Sequence, residues 1–151
     1  MTRALIAVAL ALALLIGGLA LAVFLTRDED NIAVDNVLAE RITKAIALSQ
    51  SQGEDVDLGL QARFAWDHVL LVARGVPRAA ISRRLGYPWT GEVGFRTDEL
   101  FLFLRSGRVA RFADYRGEGT FAGFAKPFDL IPRGRALLRV RDLVIRPAPA
   151  R

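Results

Sequence analysis

Leu100-Phe101-Leu102-Phe103-Leu104 is apolar at every position. Side chains of a β-strand alternate between its two faces. A strand of this composition therefore has two faces to bury, and it reads as a central strand covered on both sides. Ser106-Gly107 follows at once and has the form of a two-residue hairpin turn. Residues 108–116 then read as the returning arm.

Upstream, residues 64–72 read as a second strand. Phe64, Trp66, His68, Leu70 and Val72 would share one face, with Ala65, Asp67, Val69 and Leu71 on the other. Residues 77–85 read as a two-turn helix. Pro77 suits its first position, Ile81 and Leu85 share a face, and Gly86 ends it. Residues 87–98 contain Pro88, Gly91 and Gly94 and read as a loop. Further back, residues 36–52 place Leu38, Ile42, Ala45 and Ile46 on one helical stripe. Asp35 or Asn36 can cap that helix, Glu40 and Lys44 form an i,i+4 pair, and Gly53 can end it.

Downstream of the hairpin, residues 117–135 read as a long irregular segment, and residues 136–145 as a last strand. The sum is an α+β domain: a mainly antiparallel sheet of about four strands with two helices packed on one face. The domain is expected over residues 36–146, with a tail at 147–151.

The first part of the chain has a different character. From Ala4 to Leu25 no residue carries a charge or a polar side chain. As a helix, this run is roughly 33 Å long, against about 30 Å for the hydrocarbon core of a bilayer. Residues 1–27 are therefore expected to be a transmembrane helix anchoring the chain in the lipid bilayer, with residues 28–35 as a short linker. A cleaved secretory signal is the alternative, which would release a soluble secreted domain. Its small-x-small site, Ala20-Leu21-Ala22, lies inside the apolar run rather than at its end. The head is minimal and carries Arg3, which places the head in the cytoplasm and the domain on the other side. Ala9, Ala13 and Gly17 recur at every fourth position, a small-residue face suited to weak self-association.

The chain has 21 basic and 16 acidic residues and a formal net charge of +5. All the basic residues except Lys44 and Lys126 are Arg, and they are scattered. Nucleic-acid binding calls for a basic stripe with stacking aromatics, and no such stripe is visible. There is no Cys, which excludes disulfides, thiolate chemistry and a lipoprotein anchor.

His68 is the only histidine. It would be the first candidate for acid–base work near neutral pH, but its neighbour Asp67 points to the opposite face of a strand. No second histidine exists to build a metal site. The serines lie in no nucleophile-elbow pattern, and no Gly-rich loop leads into a helix to hold phosphate. No cofactor is expected, and no catalytic residue is assigned.

Two groups remain as candidate contacts. Trp66, Asp67 and His68 could form a polar site at one end of the sheet, although Phe64 and Trp66 at strand spacing also read as core. Phe121, Phe124, Lys126, Phe128, Arg133 and Arg135 lie in the long irregular segment. Such segments are often functional, and this one could meet lipid headgroups or a partner. The alternative is that its Phe residues fold back over an open sheet edge.

The Phe-x-Trp-Asp string before an apolar strand, the Pro-started helix ending Leu85-Gly86 and the apolar hairpin resemble small membrane-anchored bacterial envelope domains of uncharacterised function. The likeness covers residues 62–145. It implies an envelope location and brings no catalytic residues. The sequence thus favours a single-pass envelope protein with a binding or scaffolding domain, whose partner is a protein in or near the membrane. A membrane-tethered enzyme using Asp67, His68 or Arg side chains is the rival.

Overall fold

A computed structural model describes residues 34–91 and 99–149. The apolar run from Ala4 to Leu25, the Ala9, Ala13 and Gly17 face, and the linker up to residue 33 lie outside the described residues. Among the described residues no helix is long and apolar enough to cross a membrane.

The chain forms α1 (Asn36–Gln52), β1 (Val56–Asp57), α2 (Leu58–Gln61), β2 (His68–Val72), α3 (Arg78–Leu85), β3 (Leu100–Arg105), β4 (Arg108–Asp114), β5 (Thr120–Phe121), β6 (Phe128–Pro132), a 3-10 turn (Arg133–Arg135), β7 (Leu137–Arg141) and β8 (Val144–Pro147). It is an α+β fold with two four-stranded sheets. The first has the order β4-β3-β2-β6 and is antiparallel throughout. The second has the order β1-β7-β8-β5, with β5 running parallel to β8.

Helix α1 keeps its expected limits because both ends are chemically marked. The Asp35 carboxylate accepts from the Leu38 N–H at 2.9 Å. Gly53 takes a left-handed φ of 77° and donates to the Ser49 carbonyl. Leu38, Ala39, Ile42 and Ile46 are buried, and Lys44 meets Glu40 at 2.7 Å. Helix α3 ends at Gly86 as expected, but it starts at Arg78, with Pro77 just outside it at the N-cap position and making no side-chain hydrogen bond. Ser106 and Gly107 both have positive φ, 51° and 79°, which is the geometry a tight hairpin needs.

Three expectations are corrected. The single sheet of about four strands is two sheets of four, because residues 117–135 supply β5 and β6 and residues 136–145 fold back on themselves as β7 and β8. The strand expected over 64–72 starts only at His68. Trp66 consequently lies against Phe103, edge to face at 5.1 Å, on the side of Val69 rather than that of Leu70. The two helices do not share one face of the first sheet. Helix α1 packs with Val69, Leu71, Phe101 and Phe103, whereas Ile81 of α3 packs with Leu70, Leu102 and Phe112. β2 and β3 are buried along both faces, so both faces need a cover.

The larger core lies between the first sheet, α1 and the inner face of the second sheet, where Phe121, Leu138, Val140 and Ile145 project. The smaller core lies under α3 and includes Trp89, whose ring meets Phe112 at 5.3 Å. The free edge of β4 is closed by its neighbours. The Val109 N–H donates to the Tyr87 hydroxyl at 2.8 Å, and the Phe112 carbonyl accepts from the Asp35 N–H at 2.9 Å.

Candidate functional site

Strand β7 reads Leu137-Leu138-Arg139-Val140-Arg141. Leu138 and Val140 face the core, so strand alternation turns Arg139 and Arg141 outward. On β8, Arg146 stands directly opposite Arg139. Like charges across a strand pair repel, and here a carboxylate relieves the strain. Asp55 takes Arg139 in a two-pronged grip, with Nε to Oδ1 at 2.9 Å and Nη2 to Oδ2 at 2.8 Å. That grip holds the Arg139 guanidinium above its ordinary pKa.

Asp55, Arg139 and Arg141 line an open groove of about 730 Å³. Its carboxylates are Glu54, Asp55 and Asp57, from the segment leading out of α1, and its guanidinium groups are Arg133, Arg139 and Arg141, with Arg139 paired to Asp55 where β1 meets β7. Several of these groups are held in place. Arg141 donates to the carbonyls of Val140 at 2.8 Å and Gly53 at 2.9 Å, tying β7 to the C-terminal end of α1. The Asp57 carboxylate accepts from the Gly59 N–H at 2.7 Å and caps α2. The Arg133 guanidinium lies over the Trp66 ring, 5.3 Å from its centre, close enough for a cation–π attraction. A groove lined by both guanidinium groups and carboxylates can bind a ligand that itself carries both signs.

Of the residues singled out from the sequence, Trp66 is buried, and its indole N–H donates to the Ala62 carbonyl at 3.1 Å. The Asp67 carboxylate accepts from the Ser106 N–H at 2.7 Å and so props the β3–β4 turn. His68 is half-buried, with Leu104 on one neighbouring strand and Pro132 on the other. The structure brings Arg133 to this trio through the Trp66 ring and through its N–H, which donates to the Asp67 carbonyl at 2.9 Å.

The aromatic members of the other group fold inward. Phe121 is buried among Phe101, Tyr115 and Phe124. Phe124 packs on the larger core and Phe128 on the smaller one. Lys126, Arg133 and Arg135 are exposed. The sequence reading missed Asp55, Arg139 and Arg141. The signal was present in the alternation of Leu138 and Val140 with two arginines, but their partner Asp55 lies more than eighty residues away along the chain.

No protein-family model, curated protein or solved structure matches this chain.

Proposed function

We propose that the chain is a single-pass membrane-anchored envelope protein whose domain faces away from the cytoplasm and serves as a binding or scaffolding module. The groove between Glu54 and Arg141 takes a charged segment of a protein partner. The observation that carries this reading is the groove lined by both charges, in which Arg139 is held by Asp55 and Arg141 by the Gly53 carbonyl. Fixed side chains lose little freedom on binding, and such pre-ordering raises affinity. The uncharged run from Ala4 to Leu25 supports the anchor. Self-association through Ala9, Ala13 and Gly17 is a weaker element of the same proposal.

The test is mild crosslinking in intact membranes, followed by purification of the full chain with its captured partner. Glu54 is an exposed carboxylate of the groove lining. Glu54→Arg should abolish capture while the circular dichroism spectrum and abundance stay unchanged. Undiminished capture by this variant would exclude the groove. The intact mass of the chain from its host tests the anchor, and a mature chain beginning at Val23 would overturn it. Reporter fusions at the C-terminus, active on only one side of the membrane, test the topology. Gly17→Ile tests the self-association face through loss of a membrane two-hybrid signal.

A further inference from the structure

Residues 73–91 contain Arg74, Arg78, Arg83 and Arg84 and no acidic residue. Helix α3 lies within this stretch and contributes a single fully buried side chain, Ile81. All four arginines are exposed. No described carboxylate forms an ion pair with Arg78, Arg83 or Arg84.

Helix stability accounts for part of this pattern. Arg83 and Arg84 sit in the last turn, where a cation meets the negative end of the helix dipole. Arg78 opens the helix, where the same dipole disfavours it, and the first turn has no acidic residue to compensate. Helix α1 shows the opposite arrangement, with Glu40 paired to Lys44. Charge is therefore concentrated on α3 beyond what its own fold requires.

The charged surface extends past both ends of the helix. Ala73 donates to the carbonyl of Pro127, which brings exposed Lys126 beside the Arg74 turn. At the other end the Arg108 guanidinium lies 5.3 Å from the centre of the Tyr87 ring, just after the helix cap. Trp89 is buried and Tyr87 is engaged by Val109 and Arg108, so the aromatic rings of this segment are not presented for base stacking. Guanidinium groups recognise phosphate oxygens in a fixed two-pronged geometry.

We propose that α3 docks on a bilayer surface of anionic phospholipid, with Arg83 of its outer side bound to headgroup phosphate and Arg78 and Arg84 reaching the headgroups from its two flanks. This rests on the anchored reading above. The expected linker, residues 28–35, spans at most roughly 30 Å when fully extended, so the headgroups stay within reach of the domain. The anchor then fixes the protein in the membrane, and the α3 face fixes which side of the domain turns toward it. The groove on the second sheet is left for its partner.

The absence of Cys permits a single reporter. Ala79→Cys on exposed α3 and Ala47→Cys on exposed α1 each take a fluorescent label in the full-length chain. The labelled chains are reconstituted into phosphatidylcholine vesicles, with or without phosphatidylglycerol, that carry doxyl-lipid quenchers. Quenching is expected at position 79 only, and only with phosphatidylglycerol. High salt should reverse it. Arg78→Gln, Arg83→Gln and Arg84→Gln together should lower the docking equilibrium constant by roughly two orders of magnitude, and the matching Lys variants should restore part of it. Equal quenching in both vesicle types, none in either, or quenching that survives the triple variant would overturn the proposal. Flotation separates the two readings. A chain that floats only with phosphatidylglycerol removes the anchor but keeps the surface. A chain that floats with both vesicle types but shows no lipid-dependent quenching keeps the anchor and removes the surface.

Discussion

The two faces of the first sheet are covered by very unequal amounts of protein. One face carries α1, of 17 residues, together with the second sheet, whose Phe121 meets Phe101 directly. The other carries α3, of eight residues, with Ile81 as its one fully buried side chain. The thick cover is where the large aromatic rings interlock and where arginines are gripped by carboxylates or carbonyls. The thin cover is where charges stand exposed. Local stability follows buried apolar contact, so the thick side should set global stability and the thin side should open first. A surface intended for contact can sit on the thin side at little cost to the core.

Four measurements on the full chain in detergent would break or sharpen this contrast. Trp66→Ala on the thick side should have the largest effect, a loss of about 3–5 kcal/mol. It removes a buried ring packed on Phe103 and the platform beneath Arg133. Denaturant midpoints at constant slope would show it, and a loss under about 1 kcal/mol would contradict the assignment of this side as dominant. Ile81→Ala on the thin side should cost about 2–3 kcal/mol. Hydrogen exchange should show protection lost in α3 while α1 keeps its own. Equal loss in both helices would mean that the two covers unfold as one.

Asp35 probes the start of α1. Burial pushes its carboxyl up, but the Leu38 N–H and the Arg111 guanidinium outweigh that and hold it below the usual carboxylate range. A carboxyl depressed in the folded state stabilises fully above its unfolded pKa of about 3.9, and that stability fades as pH falls through the folded value. Asp35→Asn keeps the cap and removes the charge, so it should lower stability near neutrality and flatten the acid limb, with little difference from the parent chain in strong acid, where Asp35 is protonated anyway. The smallest effect is expected at Leu143. Its φ of 59° follows the 49° of Asp142 in the β7–β8 turn, and a left-handed conformation strains a branched side chain. Leu143→Gly should raise stability by about 0.5–1 kcal/mol in thermal melts.

The same pair of turns shows what the sequence discloses and what it conceals. Ser106-Gly107 announces a hairpin because glycine accepts a positive φ freely, and the turn is found there. Asp142-Leu143 forms a turn of the same hand with no such marker. It is held from outside, by Gln50 of α1 accepting the Leu143 N–H at 3.2 Å and by the Thr120 N–H donating to the Leu143 carbonyl at 2.8 Å. Tertiary contacts therefore override local preference, and residues 136–145 read as one strand. β6 is hidden for a related reason. It is a short edge strand ending in Pro132 and preceded by Pro127, with a half-exposed pattern that lacks clean alternation. Both caps of α1 and the end of α3 were legible because their signals are local. The groove was not, because Asp55 and Arg139 meet only once β1 has paired with β7.

Strand pairing also sets an order of events during synthesis. β1 at Val56–Asp57 pairs with β7 at Leu137–Arg141, and β2 at His68–Val72 pairs with β6 at Phe128–Pro132. A ribosome adding about 5–20 residues per second makes β1 wait roughly 4–16 seconds for its partner. Until then the apolar faces of β2 and β3 have no complete cover. The nascent domain therefore stays unfinished until β7 has emerged, and truncation anywhere before β7 should yield a chain that is degraded rather than a smaller working domain.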